Sequence, residues 1–209
     1  MTDFAKLPLE RFLDEIASVS PTPGGGTAAA AAGAAGAALV EMVAALTLSR
    51  EKYAAVHESV ASIAEKARAA RSELLELARE DSLAYDAVVA ARRLPKDTEE
   101  EKKTRGEAIQ ESNRYASQVP MRTARAAAGL LAALPELVEK GNPNALSDAG
   151  AAALLLDAAA EGALLNVGIN LSGISDQELV GAMQRETAAI QEETQRLRSH
   201  VLQTVRARF

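Results

Sequence analysis

The sequence predicts an all-α protein, a single-domain bundle of about six to seven helices with one long helix among them, packed closely through alanine. Three observations predict it. Alanine supplies 46 of the 209 residues, and it is the strongest helix former and a poor strand former. Apolar residues make up 48% of the chain but aromatics only 3%, with no Trp. A β-sandwich or barrel would draw on Val, Ile, Tyr and Phe instead. Finally, residues 51–93 contain neither Gly nor Pro, which leaves room for a helix of about 60 Å. The apolar content excludes simple disorder. The length suits one domain spanning residues 1–209.

The elements follow in order. Pro8 suits a helix start, and Leu9, Phe12, Leu13 and Ile16 form one stripe after it. The run SVSPTPGGGT ends that helix. An Ala-rich helix follows, to about Ser49. In the long helix from about Glu51 to Arg93, Val56, Val60, Ile63, Ala67, Ala70, Leu74, Leu77, Asp81 and Tyr85 recur at threes and fours. LPKDT ends it, and Thr98 with Glu101 reads as a capping box for a helix to about Gln118. Pro120 predicts a break or kink, and a helix from Met121 to about Lys140 carries a second kink at Pro135. GNPNALSD is a turn in which Ser147 or Asp148 can cap the next helix, through Asn170. Ser175 and Glu178 read as another capping box. The last helix then shows Leu179, Met183, Ile190, Thr194, Leu197, Val201 and Val205 on one face.

Charge and cysteine narrow the setting. The net charge is -6, so no basic field points to nucleic acid. Without Cys there is no disulfide framework and no cysteine zinc site. The start, MTDFAKLPLERFLDEIA, is charged and amphipathic and has no apolar signal core, so the expected location is the cytoplasm. Residues 27–48 are long enough to span a bilayer. Half of them are only alanine, however, and Glu41 lies deep inside. The expectation is a buried, close-packed helix and no membrane partner.

Chemistry concentrates at the breaks between helices. In PTPGGGTAAAA, glycines lead into a helix start, whose N–H groups and dipole favour an anion. No Lys-Ser/Thr follows and no strand precedes, so this is neither a Walker loop nor a dinucleotide fingerprint. A tight turn between small helices explains it equally well. Asp81 interrupts an apolar stripe, with Tyr85 one turn on. Such a carboxylate is either satisfied by a neighbouring helix or aimed into a cleft, as a base or a receptor for ring N–H groups. The Asp81–Asp86 spacing does not suit a metal-binding DDxxD helix, and no metal is expected. Asn142, Asn144, Ser147 and Asp148 cluster at a turn, which turn chemistry alone can explain. Asn166 and Asn170 share one face of an apolar helix and must find partners or face a polar ligand. Arg92, Arg93, Lys96, Lys102, Lys103 and Arg105 form a basic stretch, either a solvated face or an attractor for an anionic tail. His57 and His200 lie in charged helical stretches and read as surface residues. No nucleophile elbow is present.

These motifs, in this order, resemble the cyclodeaminase/cyclohydrolase family of folate enzymes. The resemblance rests on SVSPTPGGGTAAA, ALVEMVAALTLSREKY, D-x-x-A-Y, LPK, K-x-x-R at residues 102–105, A-x-x-VP ending at Pro120, GNPNALSDAG and NVGIN, and it covers nearly the whole chain. It implies an all-helical, usually dimeric protein. The implied substrate is a tetrahydrofolate derivative, with no redox cofactor. The implied activity is hydrolysis of 5,10-methenyltetrahydrofolate to 10-formyltetrahydrofolate, or release of ammonia from 5-formimidoyltetrahydrofolate. The pattern looks closest to the stand-alone cyclohydrolases. On this resemblance Asp81 and Asp148 become the key carboxylates, one anchoring the pterin and one acting as base, in either order. Lys96 would polarise the bridge or bind tail carboxylate. Pro23, Gly24, Gly25 and Gly26 would pack against the folate, with Tyr85 and Arg105 also in contact. Asn142, Asn144, Asn166 and Asn170 would order water or substrate. A non-catalytic folate-binding module or helical scaffold is the alternative of another class.

Overall fold

A computed structural model describes residues 6–208. Of the N-terminal stretch read as amphipathic, residues 1–5 lie outside that range. The described residues contain α1 (Leu9–Ile16), α2 (Gly25–Leu48), α3 (His57–Arg92), α4 (Glu99–Leu131), α5 (Leu134–Lys140), α6 (Leu146–Leu171) and α7 (Gln177–Arg206). Short 3₁₀ turns at Glu51–Val56 and Pro143–Ala145 precede α3 and α6. The architecture is all-α, as expected.

Helices α2, α3, α4 and α6 form a ring in which each packs against two of the others. Neighbours in the ring run antiparallel: the N-terminus of α2 meets the end of α3 through Thr27 and Asp81, while its C-terminus meets the turn before α6 through Thr47 and Asn142. Helix α7 lies against α4 and α6. Small residues set the α2–α6 spacing. A Cβ on Gly33 would come within 3.0 Å of the Ala159 Cβ, and one on Gly36 within 3.1 Å of Leu156. The backbones therefore approach as closely as a glycine–alanine seam allows, and the core is made of alanine with Leu74, Leu77, Leu131 and Leu156 fully buried.

Several local expectations are revised. The helix does not break at Pro120: α4 runs through it. The break falls after Leu131, and Pro135 sits in the first turn of α5, where its missing N–H costs nothing. The Thr98–Glu101 capping box forms, with Thr98 Oγ1 accepting from Glu101 N and Glu101 accepting from Thr98 N. Before α7 the cap is Asp176, not Ser175: Asp176 Oδ1 accepts from Leu179 N at 3.1 Å, and Ser175 is held by Gln110 instead. Neither Ser147 nor Asp148 caps α6, because the 3₁₀ turn runs directly into it and Asn142 caps that turn. The long helix is replaced over residues 51–56 by a 3₁₀ turn, so α3 begins at His57. Its predicted stripe is inward from Val60 to Leu77, with Val60, Ile63, Ala67, Leu74 and Leu77 buried, whereas Tyr85 at the end of the stripe is exposed. No residue of α1 is buried; Leu9 and Leu13 of its apolar stripe face outward. By length and composition, α2 and residues 143–171 are each apolar enough to cross a membrane, and half of each such stretch is buried inside this bundle.

Candidate active site

One end of the bundle holds a cleft of about 380 Å³. It is bounded by the loop before α2 and its first turn (Thr22, Gly24–Gly26), the end of α3 (Asp81, Tyr85, Arg92), the middle of α4 (Asn113, Ala116), and the end of α6 with its following loop (Asn166, Asn170, Ser172, Gly173). The antiparallel ring places these four segments together, since α2 starts where α3 and α6 finish.

Asp81 is the carboxyl of this cleft. Thr27 Oγ1 donates to its Oδ2 at 2.9 Å, and the Thr27 backbone N–H donates to it as well. The carboxyl thus caps one free N–H of the first turn of α2, that of Thr27, from a neighbouring helix. Thr27 has one hydroxyl proton, already given to Asp81, so Ser82 Oγ, 3.4 Å away, donates to Thr27 in turn. Burial pushes Asp81 above the usual carboxylate range, and the two hydrogen bonds from Thr27 oppose that shift without cancelling it. The close approach explains a glycine. A Cβ at Gly26 would sit within 2.7 Å of the Asp81 Cγ, so only glycine lets the carboxyl reach the helix end.

The asparagines are held by backbone. Asn166 Nδ2 donates to Gly162 O at 2.9 Å and Asn170 Nδ2 to Ala116 O at 2.6 Å. Asn113, 5% exposed, donates to Gly173 O at 2.9 Å, and Gln110 donates to the same carbonyl at 3.1 Å. This fixes the loop between α6 and α7. Arg92 is exposed at the rim, and its carbonyl accepts twice from the Arg105 guanidinium, at 3.2 and 3.1 Å. Among the described residues, no group of three or more His, Cys, Asp or Glu is placed to hold a metal ion.

The expected site residues therefore divide. Gly24, Gly25, Gly26, Asp81, Tyr85, Asn166 and Asn170 share the cleft. Asp148, Asn142 and Asn144 do not: they lie at the opposite end of the bundle. Asp148 and Asn166 are on one helix, 18 residues apart by number, which is about 27 Å. Asn142 instead fastens the turn to α2. Its N–H donates to Thr47 Oγ1 at 3.0 Å, its Nδ2 to Leu46 O at 3.3 Å, and its Oδ1 accepts from Asn144 N at 3.1 Å. Within one chain the two carboxylates cannot share a substrate. Lys96 is exposed in the loop after α3 and does not line the cleft; Arg92 does. Arg105 reaches the site only through the Arg92 carbonyl. Pro23 is buried beneath the loop and Gly24 lines the cleft in its place. Sequence reasoning overlooked Thr27, Asn113, Ser172 and Gly173. The signal for Asn113 was a buried amide on a helix face, seven residues before Pro120.

An antiparallel helical ring with a polar cleft and a partly buried carboxyl in it has the make-up of a small-molecule site suited to acid–base chemistry. Residues 8–189 match the sequence profile of the Formiminotransferase-cyclodeaminase family, and the chain belongs to that family. It is similar to a methenyltetrahydrofolate cyclohydrolase of Methylorubrum extorquens, 39% identical over 200 residues and covering 96% of each chain. It is also similar to the formimidoyltransferase-cyclodeaminase of Sus scrofa, 35% identical over 96% of this chain but only 37% of that one. The crystal structure of formiminotetrahydrofolate cyclodeaminase from Thermotoga maritima superposes with a TM-score of 0.87, at 32% identity and 97% coverage of both chains.

Proposed function

We propose that this chain is a methenyltetrahydrofolate cyclohydrolase, converting 5,10-methenyltetrahydrofolate and water to 10-formyltetrahydrofolate and a proton. The observation that carries the reading is Asp81, a partly buried carboxyl fixed by Thr27 in the cleft. The substrate carbon to be attacked belongs to a cationic amidinium. A carboxylate beside it stabilises the cation and accepts the proton of an attacking water. The water oxygen bonds to the bridge carbon, and one of its protons passes to Asp81. The carbon–N5 bond then breaks, N5 takes the proton back from Asp81, and the remaining hydroxyl proton leaves as the formyl group forms. Nothing is oxidised or reduced, so the reaction calls for no redox cofactor. Arg92 at the rim suits the carboxylates of the glutamate tail, the part given to Lys96 on sequence grounds. Similarity to a stand-alone cyclohydrolase over 96% of both chains favours this activity over the bifunctional pattern.

The second reading is cyclodeaminase activity on 5-formimidoyltetrahydrofolate. It is favoured by the likeness to the Thermotoga maritima structure and by an Asp81 held above the usual range, which can protonate departing ammonia. One assay separates the readings. Loss of methenyltetrahydrofolate absorbance, with and without protein, measures hydrolysis above the spontaneous rate. Ammonia release from the formimidoyl compound measures deamination. Protein that accelerates neither leaves a folate-binding module. We further propose a cytoplasmic homodimer. Helices α2 and α6 lie side by side, with exposed Leu165 and Ile169 toward the cleft end of the pair and exposed Met42 and Leu46 toward the other end, so the two helices together present an apolar face along their length.

A further inference from the structure

Asn113, Asn166 and Asn170 have one thing in common. Each carboxamide nitrogen is bonded to a backbone carbonyl, at 2.9, 2.9 and 2.6 Å respectively. A carbonyl can only accept, so the atom facing it is the amide NH₂ and the orientation of each group is settled. The three carboxamide oxygens have no partner among the described residues, and all three residues line the cleft. The Asp81 carboxyl adds further acceptor oxygens.

The Ala116 carbonyl is free for Asn170 because of Pro120. In an α-helix the carbonyl of residue 116 bonds the N–H of residue 120. Proline has no N–H. The uninterrupted passage of α4 through Pro120 therefore leaves one unpaired carbonyl inside the bundle, and Asn170 takes it. A residue that by sequence should end a helix instead supplies the anchor for a cleft side chain.

We propose that Asn113, Asn166 and Asn170, together with Asp81, form a ring of fixed acceptors that selects planar cations of the amidinium class over neutral ligands of the same shape, with Pro120 as the positioning residue for Asn170. Acceptors already oriented need no reorganisation when a cation arrives. They favour the ligand while it is charged and release it once the charge is gone. In the folate reading, on which only the identity of the natural ligand rests, the cation is the methenyl bridge and the neutral form is the formyl product.

The test has two arms. In the first, steady-state KM for 5,10-methenyltetrahydrofolate and product-inhibition Ki for 10-formyltetrahydrofolate are measured for wild type, Asn166→Leu and Asn170→Leu. Each variant is expected to raise KM about tenfold, by withdrawing an oriented oxygen dipole from the cationic bridge, and to leave Ki within about twofold. Equal losses for both ligands would overturn charge selection. Pro120→Ala restores an N–H that competes for the Ala116 carbonyl. It should raise KM several-fold without lowering the melting temperature and add little on top of Asn170→Leu, whereas a fully additive double variant would refute the positioning role. In the second arm, benzamidine and its neutral isostere benzamide are compared by thermal shift, with no folate involved. Stabilisation by benzamidine alone, lost in Asn170→Leu, is expected even if no folate turns over. Equal effects of the two compounds, or an unchanged variant, would overturn the proposal whatever the natural substrate.

Discussion

In the proposed mechanism Asp81 serves two ends: it caps α2 through Thr27 and supplies the reactive carboxyl. The two uses conflict electrostatically, because burial favours the protonated form. A carboxyl whose folded pKa is raised binds its proton more tightly folded than unfolded. Its contribution to stability is therefore greatest below the ordinary carboxylate pKa of about 4 and is lost as pH rises through the raised value. Asp81→Asn removes that penalty and keeps an oxygen for Thr27. Its melting temperature at pH 7 should equal or exceed that of wild type, and the gap should close below about pH 4. Its kcat/KM should fall at least about 100-fold, the usual scale for a general base. A less stable but fully active variant would refute both halves. In wild type, kcat/KM should decline on acidification with a midpoint above the ordinary Asp range. Gly26→Ala tests the close approach. Its methyl group overlaps the Asp81 carboxyl, so it should cost about 1–3 kcal/mol by chemical denaturation and lower activity together with stability.

At the scale of elements, caps separate what local chemistry decides from what packing decides. The Thr98–Glu101 box was legible because both partners lie in one turn and need nothing else. Thr98→Ala should cost about 1 kcal/mol in urea unfolding while leaving cyclohydrolase turnover intact. The equivalent pattern at Ser175 and Glu178 misled. Gln110, from α4, takes the Ser175 N–H and hydroxyl, each at 2.9 Å, and shifts the cap to Asp176. Pro120 misled for a related reason. A proline removes one helix hydrogen bond, and here a side chain from another helix uses the orphaned carbonyl, so α4 continues. The 3.6-residue stripes of α3 and α7 were legible because burying one face of a long helix is a demand that any bundle makes.

At the scale of the whole molecule, α2 and α6 stand side by side and leave Ala35, Ala38, Met42, Leu46, Leu154, Ala158, Leu165 and Ile169 outward. Two helices about 36 Å long and together about 20 Å wide offer roughly 700 Å², close to the roughly 800 Å² per side of a standard interface. Leu165→Glu should shift the protein from dimer to monomer in light scattering at micromolar concentration, and a monomeric wild type would end the dimer proposal.

The sequence by itself determined the helical class, the periodic faces, the glycine entry to α2 and the polar residues that stand out against alanine. Those features follow from propensity and spacing, which act within a few turns. Which polar residues meet was decided only by the tertiary structure. Asp81, Gly26 and Asn170 come from three helices whose antiparallel order brings their ends together, while Asp148 and Asn166 share a helix and are held apart by its length. Motif order along the chain carries no information about which end of an antiparallel bundle a residue occupies, and that is why the second carboxylate expected beside Asp81 lies at the far end of the bundle.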